Sequence, residues 1–166
     1  MKAQKTLVLF LTMALVVFGF GAMAQAGDTA TQTVTFDVPA INEITVSGDP
    51  AKLVITAPAA GSLPADVTNA LTTYSITTNE TGKKITAKID SAMPTGTTLI
   101  VNLDPPSVGT SAGDVTLLAT DTAVVTGIGQ VADSAKTITY TLHADLTSGG
   151  LLNQSKTVTF TIADES

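Results

Sequence analysis

The chain has 166 residues, with 8 lysines, no arginine and 14 acidic residues, for a net charge of −6. An acidic, arginine-free chain is a poor match for phosphate backbones and anionic lipid, so nucleic acid and charged membrane surfaces are not expected partners. The absence of cysteine excludes disulfides and lipid attachment through a thiol. The absence of tryptophan, with only 4% aromatic residues, leaves little surface on which sugars or bases could stack.

In chain order, the first 26 residues read as an export signal. Lys2 and Lys5 supply the positive flank and Leu7 to Phe20 the apolar run, while Ala22-Met23-Ala24 and Ala24-Gln25-Ala26 are overlapping small-x-small cleavage sites. A permanent span needs about 20 apolar residues, and this run is shorter and ends in small residues. We expect cleavage after Ala26, with Ala24 the alternative; an uncleaved anchor is the competing reading. Residues 27–166 then form a single domain holding six lysines against 14 acids, a net charge of −8. The expected destination is extracellular or cell-surface, with the periplasm as the alternative.

After a loose terminus at residues 27–32, strands follow by period-two alternation. Thr33 to Val38 places Val34, Phe36 and Val38 on one face, and Pro39 ends it. Ile41 to Ser47 and Lys52 to Ala57 are the next two strands, and residues 58–71 a long loop. Tyr74 to Ile89 reads as a hairpin: Tyr74 and Ile76 on one arm, Ile85, Ala87 and Ile89 on the other, with Asn79-Glu80-Thr81-Gly82 supplying turn chemistry. Thr98 to Leu103, Val115 to Thr120, Ala123 to Thr126, Lys136 to Ala144 and Ser155 to Ile162 complete the series, with Gly127 and Gly129 loosening the chain up to Ser134. Expected core residues are Phe36, Ile55, Tyr74, Ile76, Ile85, Ile89, Val101, Ile138, Tyr140, Leu142, Val158 and Phe160. About nine or ten short strands at regular spacing predict an all-β fold, an antiparallel β-sandwich of Ig-like or jelly-roll-like type. Thr-Val-Thr-Phe occurs at both 33–36 and 157–160; a half-buried strand in threonine-rich composition explains both, and no fixed period elsewhere marks a repeat.

Few residues carry chemistry. Gly109-Thr110-Ser111-Ala112-Gly113 matches a nucleophile-elbow pattern, but that motif sits between a strand and a helix, and here a Pro-Pro loop precedes and a strand follows. The sole histidine, His143, lies on the threonine face of its strand near Asp145, so a Ser111–His143–Asp triad is the weaker reading and an exposed histidine the stronger. Aspartates recur in turns at 49, 90, 104, 114, 121, 133 and 145 without a D-x-D-x-D run; isolated turn aspartates bond their own backbone, so no calcium site is expected from spacing alone. One histidine and no cysteine make zinc a poor fit. Asn79 and Asn153 head formal glycosylation triplets. Lys83, Lys84 and Lys88 form an outward charged row of the kind that discourages edge pairing. No catalytic, cofactor or metal residue is therefore expected, and the chain is not expected to be an enzyme.

The strand Thr33 to Val38, the stretch Tyr74 to Asn79 and the closing Lys156 to Ile162 give this threonine-rich chain a texture that resembles fibre-forming subunits of bacterial surfaces. The comparable groups are spore-coat-U-like and chaperone–usher pilins and camelysin-like biofilm-matrix fibre proteins. The first group and many of the second carry a disulfide, which this chain lacks. The resemblance implies a secreted structural protein, a subunit of a fibre, pilus or matrix that self-associates or joins other surface subunits. Val34, Phe36 and Val38 have the spacing of a strand exchanged between subunits, alternate side chains giving register and main-chain bonds affinity. The alternative is a monomeric cell-surface binding module or adhesin, with its site on the loops 58–71 or 104–113.

Overall fold

The computed structural model describes residues 28–165; the expected signal peptide lies outside them. The chain divides into two compact units, residues 1–37 and 38–166. The described part of the first, residues 28–37, carries no strand. The second holds every strand among the described residues and is an all-β, sandwich-like fold of two antiparallel sheets.

The strands are β1 (Asn42–Val46), β2 (Val67–Thr78), β3 (Lys83–Ile89), β4 (Thr97–Leu103), β5 (Thr110–Ser111), β6 (Val115–Thr116), β7 (Thr122–Ile128), β8 (Val131–Ala144) and β9 (Val158–Asp164). A short 3₁₀ turn, Leu146–Ser148, precedes β9. One sheet has the order β1-β2-β8-β4-β6 and the other β5-β7-β3-β9. From β2 onward, each successive strand lies in the opposite sheet. The stretch Tyr74–Ile89 is therefore not a hairpin: β2 pairs with β1 and β8, β3 with β7 and β9, and Asn79–Gly82 arches between the layers. Alternation fixes which face of each arm is apolar and not which strand lies beside it, so the same pattern suits an arch and a hairpin.

The core follows the alternation. Tyr74 and Ile76 of β2, Ile85, Ala87 and Ile89 of β3, Val101 and Leu103 of β4, Leu117, Val124, Val125 and Ile128, and Ile138 and Tyr140 of β8 are buried between the sheets. Tyr74 donates its hydroxyl to the Asp104 carbonyl across 2.6 Å, which satisfies the one polar atom of that ring. Burial first, then Asp104 and Asp133, pushes its phenol well above the usual range. Burial alone pushes Tyr140 up to about 12.

Four strands depart from strict alternation, β3 by burying Ile85, Thr86 and Ala87 in succession. In β2, Val67 and Asn69 are half-buried while Thr72, Tyr74, Ile76 and Thr78 are buried; the inward parity changes where the β2–β8 register shifts between Asn69 and Thr72. In β8, Val131 and Ile138 are both buried on opposite parity, and Ala135 at φ +55° marks the irregularity between them. In β7, adjacent Val124 and Val125 are both buried, opposite a shift at Ile85–Thr86. Bulges of this kind insert a residue and re-aim the side chains that follow.

Two expected strands are absent. Lys52–Ala57 keeps its alternation, with Leu53 and Ile55 half-buried and Val54 exposed, but joins no ladder. Thr33–Val38 is also outside the sheets. Val34, Phe36 and Val38 are 73%, 83% and 72% exposed, so Phe36 is not a core residue. Leu142, Val158 and Phe160 are half-buried, not fully enclosed.

Candidate functional site

Both β1 and β9 are edge strands, and they face each other at the same end of the sandwich. This end is closed less well than the middle. Val158, Phe160 and Ile162 of β9 and Ile44 of β1 pack on the core yet stay half-buried, and Val46 is exposed. Residues at the centre, such as Ile85 and Val101, are wholly enclosed. The difference is topological: a central strand has neighbours on both sides, whereas β9 has β3 on one side and no ladder on the other among the described residues. A free edge seven residues long presents unpaired N–H and C=O groups, a template for another strand.

The chain enters the sandwich beside this end, at a well-held point. Asn79 Oδ1 accepts from Ile41 N at 2.8 Å, its Nδ2 donates to the Pro39 carbonyl at 2.9 Å, and its own N–H reaches the Ile41 carbonyl at 3.3 Å. Asn79 thus spends its side chain on backbone and is not a free glycosylation acceptor. Next to it, Glu80 accepts from Asn42 Nδ2 at 2.5 Å, and Asn42 Oδ1 accepts from Thr78 Oγ1 at 2.8 Å. Lys83 bridges Glu80 at 2.8 Å and Asp164 at 2.5 Å, tying the arch to the end of β9. The Lys83 bond holds both carboxyls below their ordinary values, while Asp164 and then Glu80 raise the Lys83 amine.

On the outer face of the second sheet, Lys84, Thr86 and Lys88 of β3 line a shallow trough of about 470 Å³ with Asp121, Ala123, Thr161 and Ala163. Lys88 pairs with Asp121 at 3.1 Å. The depression lies on a sheet face and not on the loops 58–71 or 104–113, where a binding module was expected to carry its site.

Ser111 and His143 are not brought together. Ser111 Oγ donates to Asn102 Oδ1 at 3.4 Å, while His143 Nδ1 lies 2.7 Å from Asp66 Oδ1. Along the β4–β8 ladder Asn102 is opposite Thr139, four residues from His143, about 13 Å at 3.3 Å per residue. The turn aspartates are dispersed. Asp145 caps the 3₁₀ turn through Thr147, whose hydroxyl and N–H hold its carboxyl below the ordinary value. Asp133 accepts from Ser107 N, with the same effect, and Asp114 accepts from Asn102. No group of three His, Asp or Glu residues among the described residues is placed to hold a metal, and no helix there is long and apolar enough to cross a membrane.

Compared with protein-family models, curated proteins and solved structures, the chain matches none. The open β9 edge was not legible in the sequence, because strand order is not encoded in alternation. The one signal pointing to it is the recurrence of Thr-Val-Thr-Phe in β9 and in the segment before Pro39.

Proposed function

We propose that the protein is a secreted structural subunit, without catalytic function, of an extracellular fibre, pilus or surface matrix assembled by β-strand pairing. The observation that carries this reading is the exposure of Val34, Phe36 and Val38. Three alternating large apolar side chains in water are costly, roughly 2 kcal/mol each if burial is available elsewhere. A strand-forming pattern left outside the sheets is the form of a segment whose partner is another molecule. The expected signal peptide and the acidic, arginine-free composition support export and self-association over nucleic-acid binding.

Electron microscopy of the secreted protein tests the reading, with a variant lacking residues 27–38 beside it. Filaments from the intact protein and a folded monomer from the deletion variant are expected. Filaments that persist after the deletion overturn strand exchange through this segment. The trough beside Lys84 and Lys88 favours the second reading, a monomeric surface binding module; a folded, monomeric intact protein supports it.

A further inference from the structure

We propose that the outer edge of β9 receives the segment Gln32–Val38 of a second copy of this chain, antiparallel, with Phe36 opposite Phe160. This inference rests on the fibre-subunit reading and names the acceptor that reading leaves open.

Four edges are available, and three are poor. The strands β5 and β6 are two residues long, and β1 buries only Ile44, and that partly. The β9 edge runs seven residues and carries three half-buried apolar side chains, Val158, Phe160 and Ile162, facing the core. An added strand extends the sheet and covers them, provided its own apolar residues share their spacing. Val34, Phe36 and Val38 do.

The direction follows from Pro39 and from charge. In the antiparallel register Val38 lies opposite Val158, Phe36 opposite Phe160 and Val34 opposite Ile162. Pro39 then falls just beyond the start of β9, where its missing N–H costs no ladder bond. In the parallel alternative, with the two Thr-Val-Thr-Phe runs side by side, Pro39 lands opposite Ala163, inside the ladder. That register also brings Asp37 opposite Thr161, whose neighbour on β3 is the uncharged Thr86. The antiparallel register moves Asp37 to Thr159, whose neighbour on β3 is Lys88.

The chain has no cysteine, so single cysteines report pairing cleanly. Residues directly opposite in an antiparallel pair have Cα atoms about 4.5–5.5 Å apart, within the range a disulfide needs. Thr35 and Thr161 are opposite in the proposed register; Thr35 and Thr159 are opposite in the parallel one. Full-length secreted T35C is mixed with T161C, with T159C or with T45C on β1, assembled and mildly oxidised. Covalent dimers in the T35C and T161C mixture, lost on reduction, are the expected result. Cross-linking chiefly to T159C overturns the direction, and cross-linking to T45C overturns the acceptor. Filaments without any of these cross-links also overturn the β9 acceptor while leaving the fibre reading standing. A protein that forms no filaments before any substitution removes both.

Discussion

Ile41 and Asn79 exchange two hydrogen bonds: the Ile41 N–H reaches Asn79 Oδ1 at 2.8 Å and the Asn79 N–H reaches the Ile41 carbonyl at 3.3 Å. The first of these, with the bond from Asn79 Nδ2 to Pro39, anchors the stretch just before β1 to the β2–β3 arch. Asn79→Ala removes both side-chain bonds and keeps the backbone one. A loss of about 1–2 kcal/mol is expected from two net hydrogen bonds, seen as a lower denaturant midpoint with an unchanged slope.

Thr72 points into the core beside Tyr74, and its Oγ1 is buried with no hydrogen-bond partner among the described residues. An orphaned hydroxyl carries its desolvation cost without return. Thr72→Val keeps the shape and removes the polar atom. A gain of about 1 kcal/mol is expected, read by thermal or urea unfolding.

Backbone strain yields a pair of opposite substitutions. Ala135 holds φ +55° at the β8 irregularity, a conformation that costs a side-chain-bearing residue about 1–2 kcal/mol. Ala135→Gly relieves it, less glycine's greater loss of freedom on folding, for a net gain of up to about 1 kcal/mol. Gly96, at φ +71°, packs against the 3₁₀ turn, and a Cβ there would lie 2.5 Å from Asp145 Oδ1 and Thr147 Oγ1. Gly96→Ala combines strain with overlap and is expected to cost about 3 kcal/mol or more. Denaturation of the two variants beside the parent separates these signs.

Stability should form a plateau in pH with a fall at each end. Glu80, Asp133, Asp145 and Asp164 have native pKa values below their ordinary 4.5 and 3.8. Their contribution is complete above those ordinary values and is lost as pH falls through the lower native ones. Tyr74, Tyr140 and Lys83 are shifted upwards, from 10.0, 10.0 and 10.5. Their contribution is complete below the ordinary values and is lost as pH rises through the higher native ones. Urea midpoints across pH check both arms. Tyr74→Phe, although destabilised at neutral pH by the lost bond to Asp104, should lose midpoint less steeply above pH 10.0 than the parent.

The fold class was legible because burial in β4 and the later part of β8 follows period two, and Ile85, Val101 and Ile138 sit where alternation places them. Bulges hid what lay beyond them. Gly127 and Gly129 mark the early part of β8 as loose and Pro58, Gly61 and Pro64 mark residues 58–71 as a loop, and the parity changes within β8 and β2 leave no continuous alternation to override those signals. Leu53 and Ile55 show the converse: alternation records a half-buried face, not a ladder. Phe36 shows it further, since the residues that make a strand attractive to its own domain are equally those that would make it attractive to a neighbour. The candidate site depends on which edge stays open, and that is set by pairings between strands far apart in the chain, such as β3 with β9.

The switching of sheets at every step after β2 has a kinetic consequence. No ladder from β3 onward joins strands adjacent in sequence, so no local turn can nucleate either layer alone. Loops must close over long distances before any pairing is rewarded, which places such topologies among the slow folders, on the scale of milliseconds to seconds. On the proposed export, that delay would keep the polypeptide an unfolded thread long enough to cross a membrane before the two layers knit together.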